Sequence, residues 1–442
     1  MKIKSSIPFF VLVGCALLAF IFPSVPQAPS PEAAEKIAAI NFGDTAWMLT
    51  AAAFVLLMTP GLAFFYGGMV SSKNIISTML QSVASMAAIS VLWVVVGFSL
   101  AFGDSIGGFI GNPSTFFMFK GVLDGAPWSL APTIPLAVFA FFQLKFAIIT
   151  PALITGAFAE RIKFTSYMLF LILFSLIIYA PLAHWTWHPE GFLFKLGVLD
   201  FAGGTVVHMS AGWAALASAL YLKGRKSNGH SPANIPYVIL GTGLLWFGWF
   251  GFNAGSAVGA NNLAATAFAT TNTASATAAL AWMFLDALRG KKPSALGACI
   301  GAVVGLVAIT PAAGFVTVPH SIIIGLVASV ISNLLAEWRS KSKLDDTLDV
   351  FPCHGVGGMV GMILTGVFAT SSINGAVADE GLLFGGTKLF MTHMLALVIV
   401  SAFAFFGSLL LLKITDLISP LRVTEAEEAE GLDISQHGES YV

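Results

Sequence analysis

From about residue 44 onward the chain returns repeatedly to apolar stretches long enough to cross a lipid bilayer. No other feature constrains the fold as strongly. A helix needs roughly 20 apolar residues to span the hydrocarbon slab. Eleven stretches are candidates: residues 46–66, 75–102, 133–158, 165–183, 203–222, 236–254, 263–288, 295–310, 320–338, 354–369 and 388–413. Several contain Gly or Pro, which blurs their ends. The chain is 57% hydrophobic and only 10% charged, where a soluble domain carries about a quarter charged residues. Its 44 glycines fit close helix packing in lipid, since small residues let backbones approach. The net charge of −1 leaves no basic footprint for nucleic acid. Cys15, Cys299 and Cys353 are too few, and too apolar in setting, for a disulfide framework.

Three regions follow. Residues 1–28 read as a cleaved signal peptide, with Lys2 and Lys4 before an apolar run from Ile7 to Phe22. Pro26 and Pro29 obscure the cleavage point, which we place near Ala28. Leu12–Cys15 has the form of a lipoprotein cleavage box, but the apolar run continues well past Cys15. Residues 44–413 form the membrane domain, and residues 414–442 a cytoplasmic tail. Within the tail, the acidic stretch 424–430 reads as solvated, as does the Gly/Lys-rich segment 223–230.

Orientation follows from Lys and Arg placement. Alternate loops hold Lys73; Arg161 and Lys163; Lys223, Arg225 and Lys226; Arg289, Lys291 and Lys292; and Arg339, Lys341 and Lys343. Lys413 and Arg422 follow the last span, which makes fourteen on that side. Lys36, Lys120, Lys195 and Lys388 make four on the other. Eleven spans with this bias put the N-terminus outside the inner membrane and the C-terminus in the cytoplasm.

An internal repeat is visible. Asp200 precedes His208 by eight residues at the start of the fifth span, and Asp346 precedes His354 by eight at the start of the tenth. Five spans separate the copies, so they enter the membrane from opposite faces, the mark of an inverted repeat. If both segments are helical, eight residues rise about 12 Å. Each histidine then approaches the middle of a ~30 Å slab. The expected fold is all-α: eleven transmembrane helices, arranged as two inverted five-helix repeats plus a final helix.

Buried polar groups in lipid are costly, so His208 and His354 need a reason. One reading is two satisfied packing residues. The other is a paired imidazole site, in which two neutral rings share a hydrogen bond and still offer edges to a small polar solute. Metal chemistry is the competitor. His184 and His188 have i, i+4 spacing, but Trp185, Trp187 and Pro189 place them in an outer loop. There is no HExxH, CxxC, nucleophile elbow or phosphate-cradling loop. No enzyme, metal or cofactor is expected.

The residues around these histidines resemble the ammonium transporter family, which includes bacterial and plant ammonium transporters, methylammonium permeases and the Rhesus glycoproteins. The matching strings are PGLAFFYGG at 60–68, FAERIKF at 158–164, DFAGGTVVH at 200–208, WFGFNAGS at 249–256, LGACIGAVVGLVAITPAAG at 296–314 and DVFPCHGVGG at 349–358. The tail string GLDISQHGESYV at 431–442 matches as well. The resemblance implies a function, ammonium or ammonia transport, with methylammonium as a further substrate; the alternative is a sensor that binds ammonium and conducts little.

It also implies roles by position. His208 and His354 fall on the twin pore histidines. Phe146 and Phe252 fall on the stacked rings that close the outer pore, with Phe142 also in the pore. Trp187 and Ser256 fall on the outer cation site, with Phe146 as its floor and Asp200 as a structural acid nearby. Phe65, Tyr66 and Val350 line the inner mouth. Lys145, in the middle of the third span, is not part of the family motif. The resemblance implies a homotrimer and a PII-type signal protein at the cytoplasmic tail. No kinase or nucleotide-cyclase sequence follows within these 442 residues.

Overall fold

A computed structural model describes residues 2–226 and 231–441. Residues 227–230, in the expected solvated loop, lie outside the described residues. The N-terminal helix α1 is Lys2–Ile21. The membrane domain is built from α2 (Phe42–Met69), α3 (Ser72–Phe102), α4 (Leu136–Phe158), α5 (Phe164–Lys195), α6 (Gly204–Leu222) and α7 (Ile235–Ala254). It continues through α8 (Asn262–Leu288), α9 (Ala295–Ile309), α10 (Val318–Lys341), α11 (Phe351–Phe368) and α12 (Lys388–Ile418). A short hairpin pairs Ser105–Ile106 with Ile110–Gly111 between α3 and α4.

Among the described residues, nine helices are long and apolar enough to cross a membrane: α2 to α7 and α10 to α12. The molecule is therefore an all-helical, multi-pass membrane protein. The two other expected spans, α8 and α9, form helices of 27 and 15 residues. Helix α8 is rich in Thr and Ala, and α9 is short. Both pack inside the domain, α8 along α9 and α10.

Polar residues set the helix starts. The side chains of Asn41, Asn234, Asn261, Ser294 and Thr317 each accept a backbone N–H from the first turn that follows. Such caps satisfy donors that the helix cannot. Pro60 and Pro151 sit inside α2 and α4, where neighbouring helices surround the freed carbonyls.

Alternate connections gather at opposite ends. At one end, Arg161 donates to Thr347 and to the Asp345 carbonyl, and Arg225 bridges Glu160 and Asp345. Arg422 pairs with Glu428 there as well. At the other end, Phe192 N–H donates to Gly108, Ala260 N–H to Asp44, and Leu199 N–H to His393. The basic loops counted in the sequence thus share one face.

The acidic segment is not free in solvent. Glu425–Glu430 forms helix α13, closed by a capping box between Thr424 and Glu427. Buried Glu428 pairs with Arg422, and Lys73 donates to the Ala429 carbonyl. Asp433 then accepts the N–H groups of Ile76 and Ser77 at the start of α3. The reading of 424–430 as solvated missed these contacts, most of whose partners, Lys73, Ile76 and Ser77, lie more than 350 positions away.

Candidate functional site

Helices α6 and α11 bring the two repeat copies together. A side chain on Gly212 would collide with the backbone at Gly355, so the helices cross at that point with nothing between them. Gly212 lies one turn beyond His208, and Gly355 follows His354. The crossing places the two imidazoles side by side. Their Nδ1 atoms are 3.2 Å apart, and the rings lie 23° from parallel.

Both helices open with a wide π-helical turn, Gly204–Met209 in α6 and Phe351–Val356 in α11. The segment from Asp200 to Gly203 is not helical. The expected eight-residue helical rise therefore does not occur. Asp200 instead folds back and accepts the N–H groups of Gly203, Gly204 and Thr205, together with the Thr205 hydroxyl. Gly203 has a φ of +115°, which suits glycine because it has no Cβ. Asp346 plays the corresponding part in the other copy by accepting the Phe351 N–H.

Hydrogen-bond accounting at the pair is informative. One Nδ1 must donate and the other accept. The two Nε2 atoms are therefore opposite in kind, one a bare acceptor and one an N–H. His208 Nε2 has no protein partner. Both rings are buried, and His208 stacks on Trp249 at 5.3 Å and 16°. Met58, Leu62, Phe65, Ile149, Leu153, Val207, Leu245, Val303, Trp249 and Phe252 complete an apolar cavity around them.

Phe146 and Phe252 stack on the Asp200 side of the histidines, with centroids 4.1 Å apart and planes at 28°. Phe142 meets Phe146 edge-on at 4.9 Å. Trp187 meets Phe146 edge-on at 5.8 Å, and its indole N–H donates to the Asp200 carbonyl. The Ser256 hydroxyl donates to the Phe252 carbonyl, which leaves its oxygen lone pairs free to accept. On the opposite side, Tyr66 donates to the Leu153 carbonyl, and Tyr66 and Val350 close on Gly156. Phe65 lines the cavity itself.

The structure thus brings the sequence-selected residues into one column. Trp249 was not singled out, although it lies one helical turn before Phe252. Gly212 was missed too; a small residue in a Gly-rich chain carries little signal by itself.

One other expectation changes. His184 is on helix α5, not in a loop, and its ring stacks on His188 at 4.3 Å. Both of its nitrogens are already used, by Ser105 Oγ and the Ala101 carbonyl. No group of three or more metal-ligating side chains occurs among the described residues. Lys145 is half-buried and holds its ammonium 5.7 Å from the centre of the exposed Phe141 ring.

The sequence profile described as the Ammonium Transporter Family matches residues 46–442. The ammonium transporter of Aquifex aeolicus is 48% identical over 404 residues, covering 91% of this chain and 94% of that protein. The ammonium transporter of Bacillus subtilis is 46% identical over 404 residues, covering 90% and 98%. The crystal structure of Saccharomyces cerevisiae Mep2 superposes with a TM-score of 0.82 at 36% identity, covering 87% of this chain and 88% of that one. A structure titled Sensor Amt Protein superposes at 0.81 with 30% identity, covering 89% and 98%. With nearly all of the membrane domain matched at this level, the chain belongs to the Ammonium Transporter Family.

Proposed function

We infer that this protein carries ammonium across a membrane and is a transporter, not an enzyme. The observation that carries the reading is the His208–His354 pair, buried in an apolar cavity behind the stacked rings of Phe146 and Phe252.

The cation is recruited outside the ring stack. Trp187 and Phe146 offer ring faces, a cation–π contact of ~1–2 kcal/mol when partly desolvated. Ser256 accepts one N–H bond. Asp200 shapes this site and does not itself bind the ion, because its oxygens are already occupied by four donors. A bare charge in the apolar cavity would cost far more than these contacts return. Ammonium sheds a proton and passes as a neutral amine, which potassium cannot do, so selectivity rests on the solute's own acid–base chemistry. The opposite Nε2 atoms of the histidines match that solute: one accepts its N–H and the other donates to its lone pair. Phe65, Tyr66 and Val350 form the inner mouth. Methylammonium, which on losing a proton gives an amine with the same lone pair and one added methyl, is a further substrate.

The finer organisation is part of the same proposal. Residues 1–28 are a signal peptide removed on export. Residues 44–413 form eleven spans, counting α8 and α9, as two inverted repeats and a final helix. The N-terminus lies outside the inner membrane, and the basic face with the tail 414–442 is cytoplasmic. Three copies assemble, each with its own pore, and the tail meets a PII-type signal protein. The matched π-helical turns of α6 and α11 support the repeat, and the segregation of basic loops supports the orientation. Native mass spectrometry from nanodiscs checks the assembly; a monomer or dimer rejects the trimer.

Ammonium flux and current measured together in proteoliposomes test the function. Ammonium-driven flux that excludes potassium is expected. Ammonium binding without flux would establish the sensor reading instead.

A further inference from the structure

The two repeat-related carboxylates are used very differently. Asp200 accepts four hydrogen bonds and has no spare capacity. Asp346 is completely buried; its Oδ2 accepts the Phe351 N–H at 2.7 Å, and the Val350 N–H also acts on the carboxylate. Its Oδ1 has no hydrogen-bond partner. The neighbouring acids do not share this condition. Asp345 is paired with Arg225, and Asp349 forms a two-pronged ion pair with Arg339 at 2.7 and 2.8 Å. Of three carboxylates on a five-residue segment, Asp346 is thus the one without a direct ion pair, in a position where a buried charge is costly.

That segment is part of the inner pore wall. The Leu348 N–H donates to the Gly156 carbonyl, and Gly156 is the residue on which Tyr66 and Val350 close. The Asp346 carboxylate acts electrostatically on the Tyr66 hydroxyl and the Cys353 thiol. Asp346 also caps the helix turn that carries His354.

We propose that Asp346 is the inner proton acceptor of this pore, receiving on Oδ1 the proton that ammonium gives up before the amine crosses. The proposal rests on the transport reading above. Ammonium loses H⁺ to become ammonia. The proton passes through the His208–His354 pair, leaving as imidazolium N–H, and reaches Asp346 across intervening water. There the carboxylate becomes a carboxylic acid by forming one O–H bond. Giving H⁺ to water on the inner side restores the carboxylate, while ammonia recovers a proton from solvent. No oxidant or other co-reactant is needed.

Burial, followed by the charge of Asp349, lifts the Asp346 carboxyl to about 6, against the opposing Phe351 N–H, Arg339 and Val350 N–H. Arg161, Tyr66 and Cys353 complete the titratable and charged groups that sense it. A group that ionises there can both take and release a proton near neutral pH.

The test uses the full chain in proteoliposomes of known orientation. Asp346→Asn keeps the shape and an acceptor for the Phe351 N–H but cannot take the proton. Ammonium-evoked current is expected to fall at least ten-fold, with Asp346→Glu retaining a substantial part of it. Wild-type current is expected to decline as pH on the basic face is lowered from 8 to 5, as the acceptor fills. Wild-type current in Asp346→Asn with an unchanged pH profile would overturn the proposal. So would ammonium flux without current in the wild type. If Asp346→Asn fails to assemble, the wild-type profile decides alone: a flat one overturns the proposal. A wild type with neither flux nor current instead sinks the transport reading, and this proposal with it.

Discussion

His208 and His354 come from helices that enter the domain from opposite ends, yet their Nδ1 atoms meet at 3.2 Å. Each ring fixes the other's tautomer, because a shared hydrogen bond needs one donor and one acceptor. Removing one ring therefore does more than shorten a side chain.

Single replacements, His208→Ala or His354→Ala, should leave a buried nitrogen unpaired, at about 1–3 kcal/mol. The double replacement removes both polar partners and should be the more stable protein. Discrimination should suffer more than passage, because the enlarged cavity admits water and with it potassium. Ammonium and potassium flux in the same vesicles, for the wild type and all three variants, checks this. If the double variant keeps wild-type ammonium flux and excludes potassium, the histidines are packing residues.

Ser256→Ala removes one acceptor at the proposed cation site and leaves the Phe252 carbonyl without that donor. Trp187→Ala removes a ring face and the N–H that holds the Asp200 carbonyl. Half-saturating ammonium should rise several-fold for Ser256→Ala, about 1 kcal/mol of lost contact. It should rise further for Trp187→Ala, where a cation–π contact goes as well. Concentration-dependent flux reads both; unchanged half-saturation in the two variants would remove these residues from the site.

The multi-pass helical class and the paired histidines were legible in the sequence because they rest on local pattern: apolar run length and polar residues placed inside apolar runs. What was hidden depends on distant partners. The helical rise from Asp200 to His208 does not occur because Asp200 to Gly203 is non-helical, folded back so that the Asp200 carboxylate caps the N–H groups of Gly203 to Thr205 where the helix begins. The contact of Gly212 with Gly355 joins positions 143 apart, and neither glycine announces it. The stretch 424–430 looked solvated because one nearby cation, Arg422, does not offset its four acids, whereas Lys73 and the start of α3 supply distant partners for the tail in the fold.

Asp200→Ala should be poorly assembled. It would strand three buried backbone N–H groups, each at about 1–3 kcal/mol. Asp200→Asn keeps an acceptor oxygen and should recover much of the lost yield. Yield and melting temperature in mild detergent measure this. Equal behaviour of the two variants would mean that the carboxylate is dispensable as a cap.

Deleting residues 424–442 should leave the membrane domain folded, since the tail meets it mainly through loop and helix-end groups. It should abolish binding of a PII-type partner. It should also free the Ile76 and Ser77 N–H groups that Asp433 now holds. Asp433→Ala alone should therefore raise hydrogen exchange at the start of α3. Unchanged partner binding after truncation rejects the proposed role of the tail, and unchanged exchange in Asp433→Ala rejects the docking.

Asp346 gives the protein a stability that depends on pH, with a definite sign. Its carboxyl is lifted to about 6 by burial, above its ordinary value of 3.8. Well below pH 3.8 the group is neutral in both folded and unfolded chains, and its burial carries no charge penalty. As pH rises toward 6 the unfolded chain ionises first, so the folded state loses ground; above 6 the penalty is complete, at about 3 kcal/mol. Asp346→Asn is neutral throughout and lacks this dependence. Its stability relative to the wild type should therefore improve by about 2 kcal/mol between pH 4 and pH 8. Other groups titrate in both proteins and cancel in the comparison. Melting temperatures of the two in the same detergent at pH 4 and pH 8 give the answer. A difference that does not change with pH would mean that Asp346 ionises as an ordinary carboxylate, and that its unpartnered oxygen is reached by water.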